Sequence, residues 1–570
     1  MSEIMRPIPF QDLINWVKGE YKNHASVFGI RKEKFFRPAD SDTKISLFGT
    51  RISTPIGPAA GPHSQLAQNI LAAYLSGSRF IELKTVQQMD GEELRKAVAR
   101  PCINAVDEGY NVEWSTELTV AEAQEEYIKA WFLCHVFAKE FGIAENCDFI
   151  FNMSAGYNLD GIKSAKIDSF LDKMKNARHT EAWKRCYEYI SANMVSFERF
   201  TENDLEAISP VVSAGITLST LHGCPVEEIE KIATHLISEK RLHTYIKCNP
   251  TLLGFEAARR LLDEMGYNYI SFDDRHFKND LQFNEAVEML GRLKELALGE
   301  KLDFGVKVSN TFPVQIKRNE LPGQEMYMSG RPLFPLSISV AQKLAVAFNG
   351  ELPISYSGGA DLLNLKEILE TGILPVTVAT TILKPGGYER LTQLAELAEE
   401  TLAGMENSGT GLVSVDKLNA LAESLPGKKA YHKKQKNKEP QTGNREPYCL
   451  PCKIFCGICI GVCPNRANVK VEIQGVPQIV HIDCICNECG NCASFCPQNG
   501  RPYRDKFTIF SCEEDFADSE NPGFLRTNDL YRIRLEDKSI LNYRRGEINI
   551  PDEWLTLIDT IETKYGYLPV

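Results

Sequence analysis

The sequence predicts a (β/α)8 barrel, of the TIM type, followed by a small cysteine-rich α+β domain, and three observations carry that prediction. Short apolar runs alternate with amphipathic helical runs from about residue 45 to residue 385, which is the mark of a parallel α/β fold. Polar side chains recur at the carboxyl ends of the strand candidates, where a closed barrel builds its active site. Ten of the 17 cysteines fall between Cys449 and Cys496.

A chain of 570 residues with 43% hydrophobic content is long enough for about two to four domains with a sizeable core. The division expected is a helical segment over 1–40, the barrel over 41–400, a basic linker over 401–446, the cysteine-rich domain over 447–512 and a tail over 513–570. A formal charge of −12 disfavours nucleic acid as a partner. The start MSEIMRPIPF has no basic region followed by an apolar run, and no apolar stretch is long enough to span a bilayer. No membrane partner is expected, and the many thiols point to a reducing, cytoplasmic compartment.

Taken in order, residues 10–21 place Phe10, Leu13, Ile14 and Val17 at helical spacing. Nine stretches read as strands: 55–60, 80–86, 149–154, 215–220, 244–249, 268–273, 304–309, 353–357 and 375–380. That is one more than a closed barrel of eight needs. A helix over 226–239 lines up Ile229, Ile232, Ala233, Leu236 and Ile237. Helices over 255–265 and 363–371 stop at Gly266 and Gly372, as a left-handed C′ residue requires. No G-x-G-x-x-G follows any strand, so no dinucleotide site is expected. Residues 400–446 end in a basic run without apolar periodicity, read as a solvated linker, and Trp554, Leu555, Leu557, Ile558 and Ile561 mark a terminal helix.

Two runs of cysteines carry the clearest chemistry. Cys486, Cys489, Cys492 and Cys496 followed by Pro497 reproduce the C-x2-C-x2-C-x3-C-P run that wraps a [4Fe-4S] cluster. Cys452, Cys456, Cys459 and Cys463 followed by Pro464 repeat it with one residue inserted. In two-cluster ferredoxins the last cysteine of each run serves the other cluster. By that rule Cys452, Cys456, Cys459 and Cys496 hold one cluster, and Cys486, Cys489, Cys492 and Cys463 the other. Zinc knuckles and secreted disulfide frameworks fit the spacing less well. Cys449 and Cys484 are left over, and Cys449 is an alternative to Cys452.

The polar groups at the strand ends are Lys84 and Thr85, Asn152 and Asn158, Ser219 and Thr220, Lys247 and Asn249, Lys307 with Asn310 and Thr311, Gly358 and Gly359, and Thr380 and Thr381. A lysine there faces an anion, because an unpaired buried ammonium is costly. Asparagine amides both donate and accept, which suits a flat heterocycle with alternating C=O and N–H groups. Asp273, Asp274, Arg275 and His276 read as a loop salt-bridge group.

The runs FIELKTV, NMSAGYN, GVKVSNTF, SGRPLFPLSI, SYSGGAD and VTVATTIL resemble the FMN barrel of the dihydroorotate and dihydropyrimidine dehydrogenases over roughly residues 45–390. The cysteine-rich region that follows matches the tandem order of the dihydropyrimidine dehydrogenases. More closely still, the chain resembles the barrel and ferredoxin portion of the family named for selenate reductase subunits, without that family's further FAD/NAD(P)H module.

The resemblance implies that backbone amides around Gly358, Gly359, Thr380 and Thr381 hold the FMN phosphate, as glycine-rich turns at the end of a barrel do. It implies lysines beside the flavin N1–C2=O edge, with Lys84 one candidate and Lys247 and Lys307 in competition. Asn152 is assigned to the cofactor, and Asn158, Asn249, Asn310 and Thr311 to a heterocyclic substrate. Ser219 stands where the family has an asparagine. The general acid opposite flavin N5 is a loop cysteine or serine in the family. Cys224, at a helix N-terminus that would lower its pKa, is the candidate, with His222 and Ser219 in reserve.

The function expected is that of an iron–sulfur flavoprotein subunit acting on a C=C or C=N bond of a pyrimidine or purine dione at FMN. Electrons would pass through two [4Fe-4S] clusters from a partner, an FAD/NAD(P)H-dependent flavoprotein or a ferredoxin, in a homo- or hetero-oligomer. Selenate reduction and a non-catalytic electron-carrier role are the alternatives.

Overall fold

The computed structural model describes residues 4–39, 45–112, 115–219, 223–405, 412–434, 452, 454–545 and 550–569. Eight strands form its central parallel sheet: β1 (Ile56–Pro58), β2 (Phe80–Glu82), β3 (Ile150–Ala155), β4 (Gly215–Leu218), β5 (His243–Cys248), β6 (Phe304–Val308), β7 (Ile354–Tyr356) and β8 (Val376–Val378). Each pairs with the next from β2 to β8, and β8 returns to β1. The remaining seam between β1 and β2 is spanned by Arg79 N–H donating to the Ile56 carbonyl at 2.8 Å. A Cβ on Gly57 would stand 1.7 Å from the Phe80 carbonyl oxygen, so glycine is what lets the two backbones meet there.

Eight of the nine strand candidates are barrel strands. The ninth, 268–273, forms no barrel strand. Its Ser271 carbonyl accepts from Gln315 N–H at 2.8 Å, which lays it along the edge of a second, four-stranded antiparallel sheet. That sheet orders Phe312–Gln315, Glu325–Ser329, Gly109–Asn111 and Ile103–Asn104, all from segments that follow β2 and β6. A closed barrel leaves no free edge for a ninth strand, so the apolar run pairs with this sheet instead.

The two ends of the barrel interior differ. At one end Phe48, on the hairpin Ser46–Leu47 to Thr50–Arg51, packs on Phe80, His243 and Tyr245 with ring centroids 4.9–6.1 Å apart. It fills space that Gly215 leaves open, since a Cβ there would sit 2.5 Å from its ring. The other end is polar and carries the site.

The amino-terminal helix runs Phe10–His24, three residues beyond the expected stretch, and buries Phe10, Leu13, Ile14, Trp16 and Val17. Burying a side chain as large as Trp16 contributes upward of about 2 kcal/mol. This segment also reaches the cysteine-rich region: Arg6 pairs with Asp515 at 2.9 Å and His24 stacks on Tyr565 at 4.7 Å. Helices Phe255–Glu264 and Leu365–Glu370 end before Gly266 and Gly372, at φ 79° and 88°.

Two expectations about the second half need correction. Within 401–446, residues 412–434 are not a solvated linker. Helix Val415–Ser424 buries Leu418 and Leu421, and Tyr431 packs on Phe334 at 4.8 Å. Two buried leucines in ten residues are too few to show as a periodic pattern. The rest of the basic run, 435–446, lies outside the described residues. The boundary at 512 falls inside one sheet. Strands β9 (Asn468–Ile473), β10 (Val476–Ile482), β11 (Phe507–Phe510), β12 (Gly523–Thr527), β13 (Leu530–Arg534) and β14 (Ile540–Arg544) are hydrogen-bonded in that order. The terminal helix Asp552–Lys564 packs on this sheet through Trp554, 4.9 Å from Phe507. No described helix is long and apolar enough to cross a membrane.

Candidate active site and thiol centres

Parallel strands point alternate side chains inward, so residues at the same level of neighbouring strands meet inside the barrel. Glu82 at the end of β2 is 1% exposed and sits at the middle of a polar network. Its carboxylate forms an ion pair with Lys307, which also donates to Thr377 Oγ1 at 2.7 Å. Thr217 Oγ1 donates to the other carboxylate oxygen at 3.2 Å and accepts from Asn152 Nδ2 at 2.8 Å. Asn152 Oδ1 is buried and has no hydrogen-bond partner among the described residues.

Lys247 lies beside Lys307 in register. Burial pushes the Lys247 ammonium down to about 8, with Lys307 and Lys84 adding repulsion and Glu82 opposing them. Burial also lowers Lys307, against the pull of Glu82. Lys84 is 3% exposed, and its carbonyl accepts from Tyr127 Oη at 2.6 Å. The three lysines predicted from sequence are thus brought to one end of the barrel. Glu82, which was not predicted, takes Lys307 as its partner. The signal was present: Glu82 is two residues from Lys84 on an apolar strand, and an acid there faces inward with it.

The turns after β7 and β8 come together. Thr381 Oγ1 donates to the Ala360 carbonyl at 2.8 Å, and Thr380 Oγ1 lies 2.7 Å from Ser329 Oγ. Gly359 has φ 77°, and a Cβ on Gly358 would stand 1.9 Å from Ser337 Oγ. Both positions require glycine for the turn to close on the Gly330–Ser337 segment. The N–H groups of Gly358, Gly359, Thr380 and Thr381 meet no acceptor among the described residues. His63 ties the second turn to the loop after β1 through the Ile382 carbonyl at 3.2 Å, and burial keeps its imidazole neutral, at about 3.

Other predicted residues have local duties. Asn158 is exposed and caps helix Leu159–Ile162, accepting from Gly161 N–H at 2.9 Å. Asn310 Oδ1 accepts from Thr311 N–H at 3.0 Å, an ordinary turn. Asn249 Nδ2 donates to Asp280 at 3.2 Å, and Asp280 also holds Thr251 Oγ1 and Gly223 N–H. Asp273, Asp274, Arg275 and His276 form the surface group expected, with Arg275 and His276 both on Glu325 at 2.7 and 3.1 Å.

Cys224 follows Gly223 and is half-buried. Its expected low pKa is overturned: burial, with Glu228 behind it, pushes the thiol up to about 11. Pro225 is the N-cap of helix Val226–Thr234, with Cys224 one residue before it. Ser219 is half-buried at the end of β4, and its N–H donates to Ala155. His222 and Thr220 lie outside the described residues.

The two cysteine runs fold alike. Gly457 and Gly490, at φ 66° and 82°, each open a four-residue helix, Ile458–Gly461 and Asn491–Ser494. The thiols sort across the runs. Cys459 feels Cys452, Cys456 and Cys496, whereas Cys486 feels Cys463, Cys489 and Cys492. Cys463, Cys486, Cys489 and Cys492 line one enclosed hollow with Asn465, Asn468 and His481. Burial pushes Cys459 up to about 12, and Cys486 and Cys492 well above their ordinary value. Among the described residues no three Cys, His, Asp or Glu side chains close on a single ion. A four-iron cube is wider than one ion, and four thiols around a hollow suit it in donor type and number. Cys484 stands apart, beside Ser511 and Asp515, and Cys449 lies outside the described residues.

The second thiol group is fastened to the barrel mouth. The Cys489 carbonyl accepts from Cys102 and Ile103 N–H at 3.1 and 3.0 Å, and Asn491 Nδ2 donates to the Leu383 carbonyl at 2.8 Å, in the turn after β8. A chain of buried amides links Gln65 and Asn69 through Asn465 to Asn487 and on to Glu117. The first group lies outward, and Cys456 is exposed.

Comparison with known proteins agrees with this architecture. A protein of Escherichia coli (strain K12) named "Putative oxidoreductase YgfK" is 44% identical over 478 residues, which cover 80% of this chain and 45% of that protein. Its counterpart in E. coli O157:H7 matches equally. The chain therefore spans about half the length of these relatives. Among solved structures, a ligand-free DHODH from Eimeria tenella matches at 17% identity and TM-score 0.40, covering 67% of this chain and 93% of its own. The family described as oxidoreductase YgfK, N-terminal TIM-barrel domain, matches residues 28–434. This chain belongs to the YgfK oxidoreductase family, with the barrel as the family's N-terminal domain.

Proposed function

We propose that this chain is the substrate-side part of an iron–sulfur flavoprotein oxidoreductase. In this reading FMN sits at the polar end of the barrel and two [4Fe-4S] clusters sit in the crossed thiol groups. The observation that carries it is the fastening of the second thiol group to the turn after β8, through Asn491 to Leu383 and Cys489 to Cys102 and Ile103. One-electron carriers placed there are wired directly to the site where a flavin phosphate would rest.

The residues suit the flavin in kind. The N–H groups of Gly358, Gly359, Thr380 and Thr381 would hold the phosphate at the end of β7 and β8. Lys307 pairs with Glu82, and Lys247, lowered by burial, is the lysine this reading assigns to the flavin N1–C2=O edge, where an anion would raise it again. FMN, when bound, supplies hydride exchange with a carbon of the substrate. Cys224, whose thiol keeps its proton, would give that proton to the neighbouring atom.

The substrate class is a pyrimidine or purine dione, reduced at a C=C or C=N bond by two electrons and two protons. Electrons enter from an FAD/NAD(P)H-dependent flavoprotein module or a ferredoxin at the outer thiol group, where Cys456 is exposed. The test is anaerobic purification followed by a screen of oxidants against the reduced protein. About eight irons per chain, released FMN and re-oxidation by a uracil-like or urate-like compound but not by selenate are expected. A brown protein that releases no FMN would make the chain an electron carrier and sink the catalytic reading.

A further inference from the structure

The outer thiol group has a buried ammonium beside one of its sulfurs. Lys506, the residue before β11, is 2% exposed, and its Nζ donates to Cys452 Sγ at 3.0 Å. Its charge also pulls on Cys459. Around Cys486 and Cys492 burial is the largest influence, followed by the other thiols, with Asn468 and backbone N–H groups opposing, and no lysine among the described residues acts on either. An ammonium buried to this degree is costly unless it faces negative charge. A thiolate-ligated cluster supplies that charge, and more of it after reduction.

We propose that Lys506 tunes the outer cluster, the one held by Cys452, Cys456, Cys459 and Cys496, by holding its reduction potential above the value the thiolates alone would set. One electron passes from the donor protein, which is oxidised by one, to the cluster, which becomes more negative by one charge. A fixed positive charge within hydrogen-bond distance of a ligand sulfur favours that product, since net charge and hydrogen bonds to sulfur are what set such potentials. Lys506 thereby makes the exposed cluster the site of electron capture, while the cluster beside the barrel mouth is left to its amides. This inference rests on the cluster reading of the preceding subsection.

The test is an EPR-monitored redox titration of the anaerobically reconstituted full chain. Wild type should show two midpoints. Lys506→Met and Lys506→Gln should each lower one of them and leave the other in place, and Lys506→Arg should restore the wild-type pair. If the variants carry full iron and neither midpoint moves, or both fall together, the tuning role is overturned. Loss of half the iron in Lys506→Met and Lys506→Gln alike would make the lysine a folding requirement instead, which also overturns it. A wild-type chain that takes up no iron at all would sink the cluster reading itself, an outcome distinct from every result on the variants.

Discussion

Buried polar groups in the barrel and in the cysteine-rich sheet meet different fates. Inside the barrel, Glu82 is held by Lys307 and Thr217 across strands far apart in sequence, with Lys307 also on Thr377 and Asn152 Nδ2 on Thr217. In the cysteine-rich sheet, Cys459, Cys486 and Cys492 are pushed toward the protonated form by burial and by each other. The barrel thus carries a counter-charge for Lys307 and should fold before a cofactor arrives. Crowded thiols raise one another instead, so in the cluster reading the second region should depend on metal to hold its loops.

The largest expected effect breaks this comparison at the metal. Removing iron should expose 452–545 to limited proteolysis while the barrel stays resistant, because structural metal binding contributes on the order of 10 kcal/mol to such a region. Equal resistance with and without iron would make the two regions alike. Next in size, Lys307→Met strands Glu82 as an unpaired buried charge and should cost about 3–5 kcal/mol in urea denaturation. Adding Glu82→Gln should recover much of the loss, and a single variant as stable as wild type would show that the pair carries no such weight.

A smaller effect comes from Lys247. Its folded pKa is lowered to about 8, so the ammonium is complete below that pH and lost as pH rises through it. FMN affinity of the apo chain should therefore fall about tenfold between pH 7 and pH 9, and Lys247→Met should flatten that dependence. The same shift makes the apo fold gain stability from about pH 8 upward, toward the ordinary lysine value of 10.5, because the unfolded chain still binds the proton there. Smallest of all, Asn158→Ala should cost only about 1 kcal/mol, the worth of a helix cap. A loss of substrate turnover without a stability change would return Asn158 to the site.

How much was legible varied with the distance between partners. Eight barrel strands were readable because alternation of apolar strand and amphipathic helix is written locally. The ninth candidate was equally apolar, and only closure of the sheet between Arg79 and Ile56 excluded it. The glycines after β7 and the lysines at the mouth were legible from residue type at strand ends. Asp280, which holds the N–H of Gly223 beside Cys224 at 2.8 Å, was not. It lies 57 residues away, and nothing nearby in sequence marks it as the anchor of that loop.

What the chain determined by itself is the set of local geometries: three thiols on one short loop, a proline after the fourth, a glycine where a turn needs positive φ. These follow from spacing, because covalent connection already holds the groups close. What only the tertiary structure decided is which distant charges meet. Glu82 and Lys307 are 225 residues apart, Cys452 and Lys506 are 54 apart, and each pair exists because packing brought two strands or loops to one place. Coulomb interactions at hydrogen-bond distance depend on that placement and on burial, and neither can be read from order along the chain.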